Sequence, residues 1–200
     1  MKHNIFVLLA IISLMVACQN NKSNKVASSG FLESGLRDSL MVFTPNGFAI
    51  LDTSFGDLNG DQVEDVVVVY KRVNEEQLWQ DSSQESLRPL LIYLGQLDGT
   101  MRFSERSDNA VMCHVCGGAF GDPFLEVAIK EGQFTVHHLG GSSDRWTRST
   151  TFAYDKFEST WMLSKDENGY FNMFNPEEAD NEVKTVRDFG KVKLIDFKLN

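Results

Sequence analysis

Gly56-Asp57-Leu58-Asn59-Gly60-Asp61-Gln62-Val63-Glu64-Asp65 runs straight into Val66-Val67-Val68-Val69-Tyr70, and this junction sets the class of the fold. Oxygen-bearing side chains at alternate positions belong to a tight loop, and an unbroken β-branched run ending in an aromatic belongs to a strand buried on both faces. The same grammar recurs on either side. Short runs rich in β-branched or aromatic residues stand at 66–70, 90–94, 101–106, 126–129, 133–139, 147–154 and 161–164, punctuated by Gly, Asp and Asn.

Asp98-Gly99 and Glu131-Gly132 are hairpin turns, because Gly accepts the positive φ such turns require. A two-residue loop at Glu131-Gly132 sets a register of Ile129 against Phe134, Val127 against Val136 and Leu125 against His138 on the core side. On the other face Glu126 meets His137. Helical signals are sparse. Residues 34–41 have room for two turns, and 176–187 follow an N-cap candidate, Asn175, with Pro176 and two acids in the first turn. Gly190 would stop that helix, and 191–197 read as a closing strand. The expected fold is mainly β: a single antiparallel β-sheet domain, sandwich or partial propeller-like, with one or two short helices.

At 200 residues, 42% hydrophobic, with only 4 prolines, the chain has the composition of one globular domain. A net charge of −9 argues against a non-specific hold on nucleic acid or on an anionic bilayer surface, and leaves cation binding open.

Ile5 to Val16 is an apolar run too short to span a bilayer comfortably, and it ends in Leu14-Met15-Val16-Ala17-Cys18. This resembles a bacterial lipobox. The resemblance implies that residues 1–17 are a signal peptide, that Cys18 carries the lipid, and that the protein is membrane-anchored in the cell envelope. The address is the outer membrane if the cell is Gram-negative, because Gln19 is not the retention-type Asp. Residues 18–30, nearly devoid of apolar side chains, read as a flexible tether of roughly 20 Å. Residues 31–200 are the domain. Without the leader 18 basic groups face 28 acidic ones, so the acidity belongs to the mature chain.

In the acidic loop Asp57, Asn59, Asp61 and Asp65 hold positions 1, 3, 5 and 9, and Val63 at position 7 would offer its carbonyl. Calcium takes about six to eight oxygens, which such alternation can converge. The pattern resembles the calcium loops of FG-GAP and VCBS-type repeats, which lead into a β-strand. It departs from an EF-hand: Val68 stands where the bidentate acid belongs, and Gln62 takes the glycine position while Gly60 lies two residues earlier. Two readings stay open, a structural calcium site and a solvated acidic turn whose side chains satisfy the backbone.

Cys113-His114-Val115-Cys116 is a C-x-x-C. In an oxidising envelope it reads as a short-loop Cys113 to Cys116 disulfide. The alternatives are a thiol redox centre, which needs a helix after the first cysteine, and zinc shared with His114, His137 or His138. Residues 117–124 and 140–148 are glycine-rich and carry Asp122, Arg145, Trp146 and Arg148, candidates for contacting an anionic or sugar ligand. With the loop at 56–61, these motifs resemble a family of small bacterial envelope lipoproteins over most of residues 43–165. That resemblance implies localisation, not a reaction.

No Gly-x-Ser-x-Gly elbow or His-Glu-x-x-His is present. The favoured expectation is a lipid-anchored binding or structural module with a calcium-stabilised loop, whose partner is an envelope protein, a peptide or a glycan. The alternative is an envelope enzyme, a hydrolase or a thiol oxidoreductase using Cys113 and Cys116. Convergence of Asp122, His114, His137, His138, Arg145 and Arg148 on one pocket would favour the enzyme or a ligand site.

Overall fold

The computed structural model describes residues 43–78, 87–130 and 132–199. The expected helix at 34–41, the signal peptide, Cys18 and the tether lie outside them. Residues 44–200 form one compact unit. It is mainly β, as the alternation predicts.

Among the described residues nine strands make two antiparallel sheets, each a simple meander. The first contains β1 (Phe48–Gly56), β2 (Asp65–Arg72), β3 (Leu90–Gly95) and β4 (Met101–Ser107) in that order. The second runs through β5 (Phe124–Lys130), β6 (Gln133–Gly141), β7 (Asp144–Asp155), β8 (Thr160–Asn172) and β9 (Asn175–Thr185). Two one-turn helices, α1 (Glu75–Leu78) and α2 (Val186–Phe189), and two 3-10 turns, η1 (Gly118–Phe120) and η2 (Leu194–Asp196), complete the described residues.

The valine run is β2, flanked by β1 and β3 and buried from Asp65 to Tyr70 on both faces. Val67 and Val69 join Ile92 and Leu94 from the first sheet and Val136, Phe152, Trp161 and Leu163 from the second in a single core. In β6, Phe134, Val136, His138 and Gly140 alternate inward, which is the period-2 pattern of a sheet with one buried face. The two sheets also meet along β1 and β5: Val127 N donates to Asp52 Oδ2 at 2.9 Å, and Ser54 Oγ donates to the Val127 carbonyl.

The β5–β6 register is the predicted one from Ile129/Phe134 to Glu126/His137. It then departs, because a bulge places Phe124 rather than Leu125 opposite His138, and Leu125 turns outward. At Asp98-Gly99 the connection holds three residues, not two: Gln96 N donates to the Thr100 carbonyl around Leu97, Asp98 and Gly99, with Gly99 at φ +81°.

Two expectations fail in the C-terminal third. Residues 176–187 are mostly strand, since β9 pairs with β8 from Lys165/Thr185 to Asn172/Asn175 and only Val186–Phe189 is helical. Residues 191–197 form a single bridge, Met162 to Lys193, and the η2 turn rather than a closing strand. β1 is not among the expected strands, and β8 runs on well past Ser164 because it stays paired to β7.

Candidate functional site

Two positive φ values curl the acidic loop, Gly60 at +77° and Gln62 at +68°. The glycine shifted to position 4 and the Gln at position 6 both adopt the left-handed region, which a non-glycine residue enters at a cost of roughly 1–2 kcal/mol. The curl turns backbone N–H groups inward. Asp57 accepts from Gly60, Asp61 and Gln62; Asp61 accepts from Val63 and from the Asn59 amide; Asn59 Oδ1 accepts from Asp61 N. These bonds hold the Asp61 carboxyl below its ordinary range, the Val63 N–H contributing most.

Asp65 faces the other way. It is fully buried and ties the loop to the first sheet, receiving Leu58 N at 2.8 Å and Gly95 N at 2.9 Å. Burial pushes its carboxyl up against the pull of those two donors. Among the described residues no three His, Cys, Asp or Glu side chains gather as a metal-binding group. The donor chemistry of the loop still suits a hard cation, because Asp57 Oδ2, Asn59 Oδ1 and both Asp61 oxygens each accept one bond and keep a second lone pair, whereas Asp57 Oδ1 already accepts two. Alongside lies an open depression of about 690 Å³, lined by Asp57, Asn59, Gly60, Tyr154 and Lys156. The Lys156 ammonium sits against Gly60 and adds a smaller lowering pull on Asp61.

The second cluster is not legible as such in the sequence. Arg88, between α1 and β3, is 1% exposed, and its guanidinium spans two carboxylates. Nε and Nη2 donate to Glu75 at 2.8 Å each, and Nη1 and Nη2 donate to Asp122 at 2.7 and 2.6 Å. Asp122 also accepts from Phe124 N, and His114 Nδ1 stands 3.3 Å from its Oδ2. Burial works against the Arg88 charge, but the two carboxylates more than offset it. Burial likewise pushes Asp122 up, and the Arg88 hydrogen bonds and charge bring it below its ordinary value.

Met112 links this cluster to His138: its carbonyl accepts from Arg88 Nη1 at 3.4 Å, and its N–H donates to His138 Nε2 at 3.1 Å. Cys113 and Cys116 follow Met112 in the chain, at disulfide distance with Cα atoms 5.2 Å apart. The pair leads into the 3-10 turn η1, not into a helix that would lower a thiol pKa. His137 lies on the other face of β6, against Ser149 Oγ at 2.9 Å. His137 and His138 therefore cannot both turn toward the Cys113–Cys116 pair.

The two glycine-rich motifs come together. Gly141 N donates to the Gly117 carbonyl at 2.8 Å, and a Cβ on Gly140 would overlap the Trp146 indole and crowd Gly117. Trp146 therefore lies flat on β6. Arg145 and Arg148, three apart on β7, point to opposite faces. Arg145 stacks 4.5 Å over the Phe120 ring and reaches Met173 Sδ. Arg148 is held on Asp166, with bonds of 3.0 and 2.8 Å. It lines an open depression of about 570 Å³ with Asp166, Asn168, Tyr170, Glu182 and Lys184.

The structure thus gathers His114, Asp122 and His138 around Arg88, sets Arg148 across the strand pair from His138, and leaves His137 and Arg145 elsewhere. Within the gathered group each acid–base side chain is already bonded to the protein. Sequence reasoning missed Arg88 and Glu75; the available signal was a lone charge set in the run Leu87-Arg88-Pro89-Leu90-Leu91. No family model, no curated protein and no solved structure matches the chain.

Proposed function

We propose that the chain is a non-catalytic binding module of a bacterial cell envelope, lipid-anchored through Cys18, with loop 57–65 closed by a structural calcium ion. The observation that carries the non-catalytic part is the engagement of the reactive side chains. Asp122 is spent on Arg88, Arg148 on Asp166, His138 on Met112 N and His137 on Ser149. A general acid or base has to reach a substrate proton, and these groups are committed to holding elements together. The thiol-oxidoreductase alternative lacks support in the 3-10 turn after Cys116.

Asp57, Asn59, Asp61 and the Val63 carbonyl would hold the calcium, with Asp65 joining loop to strand. The ion would offset the charge of acids packed into one turn. The test is thermal melting of the detergent-solubilised full chain with calcium and with chelator. At free calcium about 100 times Kd, the gain is about 2.7 kcal/mol. Asp57→Ala with Asp61→Ala should abolish the difference, and identical melts for the parent chain would refute the calcium site. Cys18→Ser should release the protein from the membrane fraction; retention would refute the anchor.

A further inference from the structure

Among the described residues four strands end the two sheets, and three of them are covered. β1 and β5 close on each other through Asp52 and Ser54. η2 packs on β4, and Glu105 of β4 receives Thr160 Oγ1 at 2.8 Å and Trp161 N at 3.3 Å. β9 is different. It is 11 residues long, neighbours β8 alone among the described residues, and is exposed from Asn175 through Lys184. An edge strand with one neighbour turns every second N–H and C=O into solvent, a template for another strand.

The edge is also charged in one sense. Glu177, Glu178, Asp180 and Glu182 face a single cation, Lys184. Pairing with β8 is regular from Asp180 to Thr185, where Asp180, Glu182 and Lys184 share one face and Lys184 holds Glu182 at 3.1 Å. It shifts between Asp180 and Asn175, and Glu177 and Glu178 stand exposed in that irregular stretch. A second copy laid against this edge would bring together two strands that each carry four acids and one lysine. A strand rich in Lys or Arg would meet an edge of net negative charge.

We propose that β9 is a docking edge that takes up an extended basic segment of a partner protein by strand addition. Backbone hydrogen bonds supply the pairing, and the net negative charge of the edge selects a basic partner and disfavours self-association. The proposal rests on the reading of the chain as a binding module and gives that module its class of partner.

The test uses the full chain and an eleven-residue peptide alternating Lys with Thr, matched to β9 in length. Fluorescence anisotropy should show saturable binding, and amide exchange should slow along β9. Replacing Lys by Glu in the peptide, or Glu178→Lys with Asp180→Lys and Glu182→Lys in the protein, should weaken binding by at least about tenfold. N-methylation of alternate peptide amides should also abolish it, since that removes the backbone donors and leaves the charges. Binding that survives N-methylation would overturn strand addition in favour of charge attraction. Absence of binding would overturn the proposal and leave the acids as protection against aggregation. Protection of β9 without peptide, at doubled mass, would overturn it in favour of a second copy. None of these results touches the calcium and anchoring tests, so the edge and the module stand or fall separately.

Discussion

At the scale of single residues, Arg88 concentrates the most energy. A buried guanidinium is tolerable only while both its carboxylates are present, and those carboxylates in turn depend on it. Arg88→Met would leave Glu75 buried with its main partner gone and Asp122 without its cation. The expected loss is about 3–5 kcal/mol, read as a shift in the urea midpoint. A change under about 1 kcal/mol would show that the cluster is replaceable.

His138 gives a second test at the same scale. Burial, with the nearby Arg148 and Arg88 charges, pulls its pKa down to about 4. Nε2 accepts from Met112 N, so the proton sits on Nδ1, which is buried without a protein partner. The folded state resists protonation more than the unfolded chain does. The contribution of His138 is therefore complete above about pH 6.5 and is lost as the pH falls towards 4, on the order of 3 kcal/mol in all. Asp122, whose pKa is lowered, adds its own loss only at lower pH. Urea midpoints measured from pH 7 to 4.5 should fall for the parent and much less for His138→Gln; equal slopes would remove the histidine from the account.

At the scale of elements, the two glycine-rich motifs act as one joint. Gly140 lets Trp146 lie on β6 and lets Gly117 approach, so the disulfide-bearing loop docks on the β6–β7 corner. Gly140→Ala should cost about 1–3 kcal/mol through overpacking and lower the melting temperature, whereas Gly99→Ala meets no neighbour and strains only its own turn. Equal effects at the two positions would mean that the joint is loose.

Much at this level is legible in the sequence. Val66 to Tyr70, Leu90 to Leu94 and the alternation of β6 carry their burial in their composition, and the Gly132 turn carries its register. β9 is not legible, for a physical reason. Asn175, Pro176 and two acids are the local chemistry of a helix start, and an edge exposed on both faces has no apolar alternation to contradict them. Pairing with β8 overrides propensity there. The Arg88 cluster is hidden differently: its partners lie 13 and 34 residues away, and no local pattern joins them.

At the scale of the whole molecule, the question is whether two meanders behave as one body. Each sheet alone has an apolar face to bury, and the core draws on both: Val67, Val69 and Ile92 pack with Val136, Phe152 and Trp161. The β1–β5 seam adds polar bonds across the junction, and Arg88 fastens Glu75 of α1 to Asp122, two residues before β5. Neither sheet keeps its core when the other leaves, so the two should unfold together. Amide exchange through the urea transition should expose β2 and β6 at the same midpoint, with one m-value. Asp52→Ala, which removes the acceptor for Val127 N, should shift both strands equally. If β2 opened at lower urea than β6, the seam would be an interface between separable units, and cooperative folding of the region 44–200 would have to be abandoned.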